Sequence, residues 1–234
     1  SGGRRHWSLM ANHFPANSNT GHRLLMPAQK PKTSSTKVTP IKLTTLERRV
    51  LKAALSIAAE KEWYNISLSE VASIAGFELN EILPRFPDTN AIANTWFEQA
   101  LYAMLAPLPK AHNKLPISER LEIILLRWFK ALTPQKQVTV GMLRSKFHLP
   151  HIHHWGPLVF ALSRHVQLWR ETAMLRTVGR QRQIEEIALT AIFLGTLVVW
   201  CTDASEGQLL TQKFLKKKLS QGDGIMNRFF EPTH

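Results

Sequence analysis

The chain has 234 residues, of which 44% are hydrophobic and 20% charged, enough to bury one sizeable core or two small ones. A formal net charge of +13 and a pI of about 10.2 point to an anionic partner: nucleic acid, acidic lipid or an acidic protein face. The single Cys201 excludes an internal disulfide, and residues 1–42 hold no continuous apolar stretch of the kind a secretory signal needs.

Residues 1–43 read as an arm rather than a domain. They contain Pro15, Pro27, Pro31 and Pro40, many Ser, Thr and Asn, and no lasting periodicity. Arg4, Arg5, Arg23, Lys30, Lys32, Lys37 and Lys42 fall here with no Asp or Glu, and the first six are candidate partner-binding residues. This basic, acid-free composition resembles that of organellar targeting regions.

Residues 44–106 read as a small helical domain. Thr44-Thr45-Leu46-Glu47 has capping-box spacing, and Leu46, Val50, Leu51, Ala54, Leu55 and Ala58 form an apolar stripe behind it. Ser67-Leu68-Ser69-Glu70 is a second capping box, opening a short helix with Val71, Ile74 and Ala75 expected inward. Gly76 supplies a turn, and a third helix runs from Glu78 until Pro84, which lacks an amide donor and clashes with the carbonyl of Asn80. A longer helix follows Asp88, with Ile92, Trp96, Phe97, Leu101 and Leu105 on one face.

Pro107, Pro109 and Pro116 then interrupt the chain before a second helical domain, 116–221, and a tail, 222–234. Ser118–Leu132 carries Leu121, Ile124, Leu125, Trp128 and Phe129. Thr133 reads as the cap of a helix with Pro134 at its first position, ending near Phe147. Residues 157–175 present Leu158, Ala161, Leu162, His165, Leu168 and Trp169. Ile184–Trp200 is apolar on nearly every face, which reads as a central helix surrounded by others, and it is short for a bilayer span. Ser205 and Gln208 have capping-box spacing for a last helix that Gly222 is expected to stop. No segment alternates as a strand would, so the fold class is all-α.

Helices one to four have the order and spacing of the TetR-type helix-turn-helix domain. The residues that carry the resemblance are Leu51-Lys52-Ala53-Ala54-Leu55, Leu68 through Phe77, and Phe86-Pro87-Asp88. The recognition helix, Glu78 to Arg85, departs from the pattern. It has two carboxylates and lacks the usual Ser/Thr, Lys and Tyr, which opposes contact with a polyanion.

Within that superfamily the chain resembles the branch of the coenzyme Q biosynthesis protein Coq-nine, which binds lipid and not DNA. Leu46–Leu55 with Trp63, Leu149-Pro150-His151, and Leu189-Thr190-Ala191-Ile192-Phe193 continuing to Asp203-Ala204-Ser205, Thr211 and Lys213-Phe214-Leu215 carry this resemblance. It implies a helical core around a pocket for an isoprenoid, a face for the pathway's hydroxylase, and a membrane-facing C-terminal helix. Trp128, Phe129, Phe160, Trp169, Phe193 and Trp200 are the candidate pocket lining, and at helical spacing they are core residues first and lining second. Arg182 and Gln183 stand where the family sets an aromatic pair on its partner face. After Leu219, Ile225, Met226, Phe229 and Phe230 make only a short apolar patch.

No catalytic set, cofactor loop or metal site is assigned. His148, His151, His153 and His154 surround Pro150 without Cys or a His-Glu-x-x-His spacing, and read as a polar loop. Lys213, Lys216, Lys217 and Lys218 read as a solvated face, with contact to anionic lipid or RNA as the other reading. The expectation is a non-catalytic mitochondrial binding protein, placed in the matrix or on the matrix face of the inner membrane. It would be either an isoprenoid- or phospholipid-binding accessory factor or a structural subunit of a large assembly. The alternative is a TetR-type DNA-binding regulator in a bacterial cytoplasm, and a homodimer fits either.

Overall fold

The computed structural model describes residues 43–147 and 155–230, leaving out the side chains of 147, 155–163 and 223–230. Nine α-helices run through these residues: α1 (Thr45–Glu60), α2 (Leu68–Ala75), α3 (Leu79–Ile82), α4 (Thr89–Leu105), α5 (Ile117–Leu132), α6 (Lys136–Phe147), α7 (Trp155–Thr172), α8 (Gly179–Thr202) and α9 (Leu209–Phe230). No strand occurs among the described residues. The fold is an all-α bundle, as composition and periodicity imply.

Local chemistry sets the starts of α1, α2 and α4. Thr44 Oγ1 accepts from the amide of Glu47 at 3.1 Å, and the Thr44 amide donates to the Glu47 carboxylate at 2.8 Å, completing the capping box. Ser67 caps α2 through the Glu70 amide, and Asp88 caps α4 through the Ala91 amide at 2.7 Å. At Thr133 the structure differs from the capping role read from sequence. Its hydroxyl donates to the Phe129 carbonyl at the end of α5, and a 3-10 turn over Thr133–Gln135 leads into α6.

Two clusters of buried apolar side chains form the core. One gathers Val50, Leu51, Ala54, Val71, Ile82 and Ile92 from the first four helices, Trp63 and Phe86 from the connections between them, and Val138 and Met142 from α6. The other is built by α4, α5, α7, α8 and α9 around Trp128, Phe129, Trp169, Phe193 and Trp200. Trp96 and Phe97 on α4 touch both clusters, and Trp96 Nε1 donates to Thr139 Oγ1 on α6 at 2.9 Å.

Buried polar groups fix the approach of α8 and α9. Asp203, only 4% exposed, accepts from the amide and hydroxyl of Thr211 at 2.8 and 2.7 Å, and from the amide and hydroxyl of Ser205 at 2.8 and 2.5 Å. Those hydrogen bonds from Ser205 and Thr211 hold its carboxyl well below the usual carboxylate range despite burial. Lys136 donates to the Asp203 backbone carbonyl. At the other end of α8, the buried Arg170 of α7 donates to Glu185, Glu186 and Thr177.

Three expectations are corrected. Ile74 points outward with 59% of its surface exposed, and Ala72 takes the inward place on α2. Gly222 does not stop the last helix, which continues to Phe230. It faces Ile192 of α8, where an added Cβ would lie 3.9 Å from Cδ1. The Ser205–Gln208 capping box does not form. Gly207 and Gln208 both have positive φ, and the Ser205 hydroxyl joins the Asp203 cluster while accepting from the Leu210 amide.

Candidate nucleic-acid interface

The helix-turn-helix is assembled from α2, a left-handed glycine and α3. Gly76 sits at φ +71°, and the Phe77 amide reaches back to the Ala72 carbonyl at 3.0 Å, which closes α2. The Arg49 guanidinium lies 4.6 Å from the Phe77 ring centroid and only 2.5 Å from where a Cβ on Gly76 would be. Ile82 and Phe86 are fully buried and anchor α3 to the core.

What α3 presents is small and acidic. It has one helical turn, Leu79–Ile82, and the Glu78 amide donates to the Glu81 carboxylate at 2.7 Å. Glu78, Asn80, Glu81, Leu83, Pro84 and Arg85 are exposed. Among them Asn80 has the two-sided amide that can pair with an adenine edge. Arg85, the cation that follows α3 in the chain, is already engaged: its Nε donates to Glu47 at 2.6 Å. The Thr44 amide, with Arg85 beside it, holds the Glu47 carboxyl below its ordinary range. From Leu43 to Asn90 the chain has five Lys/Arg and seven Asp/Glu. Lys61 is paired with Glu70, which leaves Arg48, Arg49 and Lys52 as exposed cations outside ion pairs. The excess positive charge of the protein therefore lies outside its helix-turn-helix.

The candidate pocket residues come together, but as interlocked rings. Trp128 lies 5.1 Å from Phe129 and 5.3 Å from Phe193 by ring centroids, and Phe129 lies 5.5 Å from Trp200. Trp169 Nε1 donates to the Leu121 carbonyl at 2.9 Å. The buried indole N–H groups of Trp128 and Trp200 have no partner among the described residues. His165, half-buried, meets Trp128 edge-on at 6.4 Å. The Phe160 side chain lies outside the described residues. A groove of about 420 Å³ occurs elsewhere, between α1 and α4, lined by Leu43, Leu51, Leu55 and Trp96 with Arg48 and Lys52 at its rim.

Helix α8 is not surrounded. Leu189, Phe193, Thr196, Leu197 and Trp200 face the core, while Ile184 (45% exposed), Ile187 (71%), Leu194 (39%) and Val198 (67%) face outward with Ala191. These five positions are spaced alternately three and four residues apart, the pattern of a helix-pairing seam. Gly179–Thr202 is long and apolar enough to cross a membrane by length and composition, and packing against α7 and α9 covers only part of it. Arg182 and Gln183 are exposed near its start, with Arg182 Nε 2.8 Å from Glu186. On α9, Lys213, Lys216 and Lys217 are exposed beside Leu209 and Leu210, while Lys218 lies 5.7 Å from the Phe214 ring centroid.

Solved structures with this arrangement include the crystal structure of the TetR transcriptional regulator from Nitrosomonas europaea ATCC 19718. The two share 32% sequence identity over 77% of this chain and 99% of that one, with a TM-score of 0.68. The chain belongs to the TetR family. Two more distant TetR-family structures share the fold. The regulator from Rhodococcus sp. RHA1 is 16% identical, with a TM-score of 0.58 over 80% of this chain and 98% of its own. The one from Streptomyces coelicolor is 12% identical, with a TM-score of 0.58 over 81% and 85%. No family model and no curated protein matches the sequence.

For this TetR-family chain, sequence reasoning located the helix-turn-helix and its acidic edge. It missed the Glu47–Arg85 tie, because that pair joins residues 38 apart. It also took the α8 seam for core. Burial and pairing both demand apolar side chains, and the signal that separates them is the three-four spacing on the side opposite Phe193 and Trp200. The basic residues Arg4, Arg5, Arg23, Lys30, Lys32 and Lys37 and the four clustered histidines lie outside the described residues. Among the described residues no group of His, Cys, Asp or Glu is arranged to hold a metal ion.

Proposed function

We propose that the protein is a TetR-type transcriptional regulator that binds DNA as a homodimer. The observation that carries this reading is the intact α2–Gly76–α3 unit, anchored by Ile82 and Phe86, in a chain 32% identical to a TetR transcriptional regulator over 99% of that regulator's length. A second copy is supported by the α8 seam, whose outward Ile184, Ile187, Leu194 and Val198 a two-fold mate would cover with the same residues. Asn80 is then the base-reading side chain, with Arg48 and Arg49 on phosphates. The test is a mobility-shift titration against overlapping duplexes tiling the DNA upstream of its own gene. One duplex bound in preference to the rest at physiological salt is the expected result, and equal or no binding across the set refutes operator recognition.

A second reading is favoured by the acidic single-turn α3 and by seven carboxylates against five cations over Leu43–Asn90. In it the helix-turn-helix no longer reads DNA, and the protein acts as the resemblance to the Coq-nine branch implies. It would be a mitochondrial accessory factor for an isoprenoid or phospholipid, or a subunit of a larger assembly. Lipid extraction and mass spectrometry of the purified protein test the carrier form, for which a stoichiometric isoprenoid or phospholipid is expected. Elution of the native protein at dimer size counts against the assembly form.

A further inference from the structure

We infer that the groove between α1 and α4 is a binding site for an amphipathic anion, one carboxylate carried on an apolar chain. The site goes beyond the regulator reading and does not depend on what α3 contacts.

The groove is built along one face of α1. Its lining residues there run from Arg48 through Leu51, Lys52 and Leu55 to Ala59, at the three-four spacing that keeps side chains in one stripe. Eleven residues of helix make that stripe roughly 16 Å long. Trp96 of α4 lines the other side, and the enclosed volume of about 420 Å³ falls within the ~300–1,000 Å³ usual for small-molecule sites. Leu51 is buried, but Leu55 and Trp96 are only half-buried, so apolar surface remains that a bound chain would take from water.

Charge decides the class of ligand. No Asp or Glu lines the groove, although carboxylates outnumber cations over Leu43–Asn90. Three exposed cations of that stretch stand outside ion pairs, and two of them, Arg48 and Lys52, line this groove. They are four residues apart, hence neighbours on the helix surface and able to share one anion. Arg48 Nη2 donates to the Leu43 carbonyl at 3.1 Å, which holds the guanidinium in place and leaves its other N–H groups for a ligand. The headgroup therefore belongs between Arg48 and Lys52, with the tail running past Leu55 toward Ala59. Trp96 packs against both core clusters and donates to Thr139 of α6, so the bound chain would lie on the residue that joins them.

The test is isothermal titration calorimetry of the full chain with decanoate, kept below its micelle-forming concentration, and with 1-decanol as the uncharged control. Arg48 is also a phosphate contact in the regulator reading, so the titrations contain no DNA. The wild type is compared with the double variant Arg48→Gln/Lys52→Gln and with Ala59→Trp. All three positions are exposed, so circular-dichroism melting should be unchanged. One decanoate per chain is expected, with decanol binding more weakly. Loss of two exposed ion pairs should weaken decanoate by about tenfold in the double variant, and the Ala59→Trp ring should block it. No decanoate binding by the wild type, equal affinity for decanol, or binding retained by Ala59→Trp overturns the inference. A wild-type dimer that Ala59→Trp converts to monomer in sedimentation assigns the groove to a second copy, and overturns it too. The operator titrations are read separately, so failure of this site leaves the regulator reading as it stands.

Discussion

Replacing Asp203 with Asn tests whether one buried carboxylate sets the geometry of α8 and α9. The two side chains have the same shape, yet the carboxylate accepts four hydrogen bonds, two from Ser205 and two from Thr211. Whichever oxygen becomes an amide nitrogen, it faces a backbone N–H that cannot turn away. A hydroxyl can rotate to accept; the amide of Thr211, a fully buried residue, cannot. An orphaned buried donor costs about 1–3 kcal/mol, and the lost charge assistance on the remaining bonds brings the total to about 3 kcal/mol. At roughly 2–4 °C per kcal/mol for a chain of this size, Tm should fall by about 6–12 °C at pH 7.

The pH dependence provides a second, independent reading. The Asp203 carboxyl is depressed in the folded protein, so its contribution is full above the unfolded value of about 3.9 and is lost as pH falls toward the folded one. Asn has no such proton to bind. Denaturant titrations should therefore show the stability gap between wild type and Asp203→Asn closing by about 1 kcal/mol between pH 5 and pH 3. A gap that stays constant over that range, or a Tm change below about 2 °C, refutes the reasoning.

Changing Ile187 to Glu places a charge in the middle of the α8 seam, where the residue is 71% exposed in the single chain. Two such charges would be buried across a two-fold axis, so sedimentation velocity should show dimerisation weakened by at least about 100-fold with Tm of the monomer unchanged. A wild type that sediments as a monomer refutes that use of the seam. Glu47→Ala should have opposite effects on folding and on DNA. Losing half of the capping box lowers stability by about 1 kcal/mol. Freeing Arg85 adds about −0.9 per chain to the salt slope on duplex DNA, read by repeating the mobility-shift titrations at several salt concentrations.

Features encoded within a few residues were legible in the sequence. The capping box at Thr44, the Ser67 half of the box before α2, the Gly76 turn, the start of α4 after Asp88 and the shortening of α3 by Pro84 each depend on neighbours the sequence displays side by side. The other half of the second box does not form, because the Glu70 carboxylate pairs with Lys61. Features that depend on which way a helix rolls were not. Ile74 and Ala72 both fit a three-four stripe on α2, and only the packing of α1 against α2 decides that the smaller one turns inward. Gly222 failed as a stop because Ile192 lies across from it, and a helix partner can hold a glycine in place against its propensity. The candidate aromatic residues were read correctly as buried, since Trp128, Phe129, Trp169, Phe193 and Trp200 each lie at most 5% exposed. Their apolar spacing carries no record of whether rings meet rings or a ligand.

Helix α6 has a consequence for any attempt to study the halves separately. Its Val138 and Met142 close the cluster that Trp63, Ile82 and Phe86 begin, and Gly141 of the same helix faces Trp63, where an added Cβ would make an ordinary contact at 3.7 Å. A fragment cut after α4 would leave that wall open to water and expose Trp63. Its tryptophan fluorescence should shift to the red even if every one of its own helices still formed. The helix-turn-helix domain of this protein is finished by a piece of chain made some seventy residues after Trp63, and during synthesis it has to wait for it.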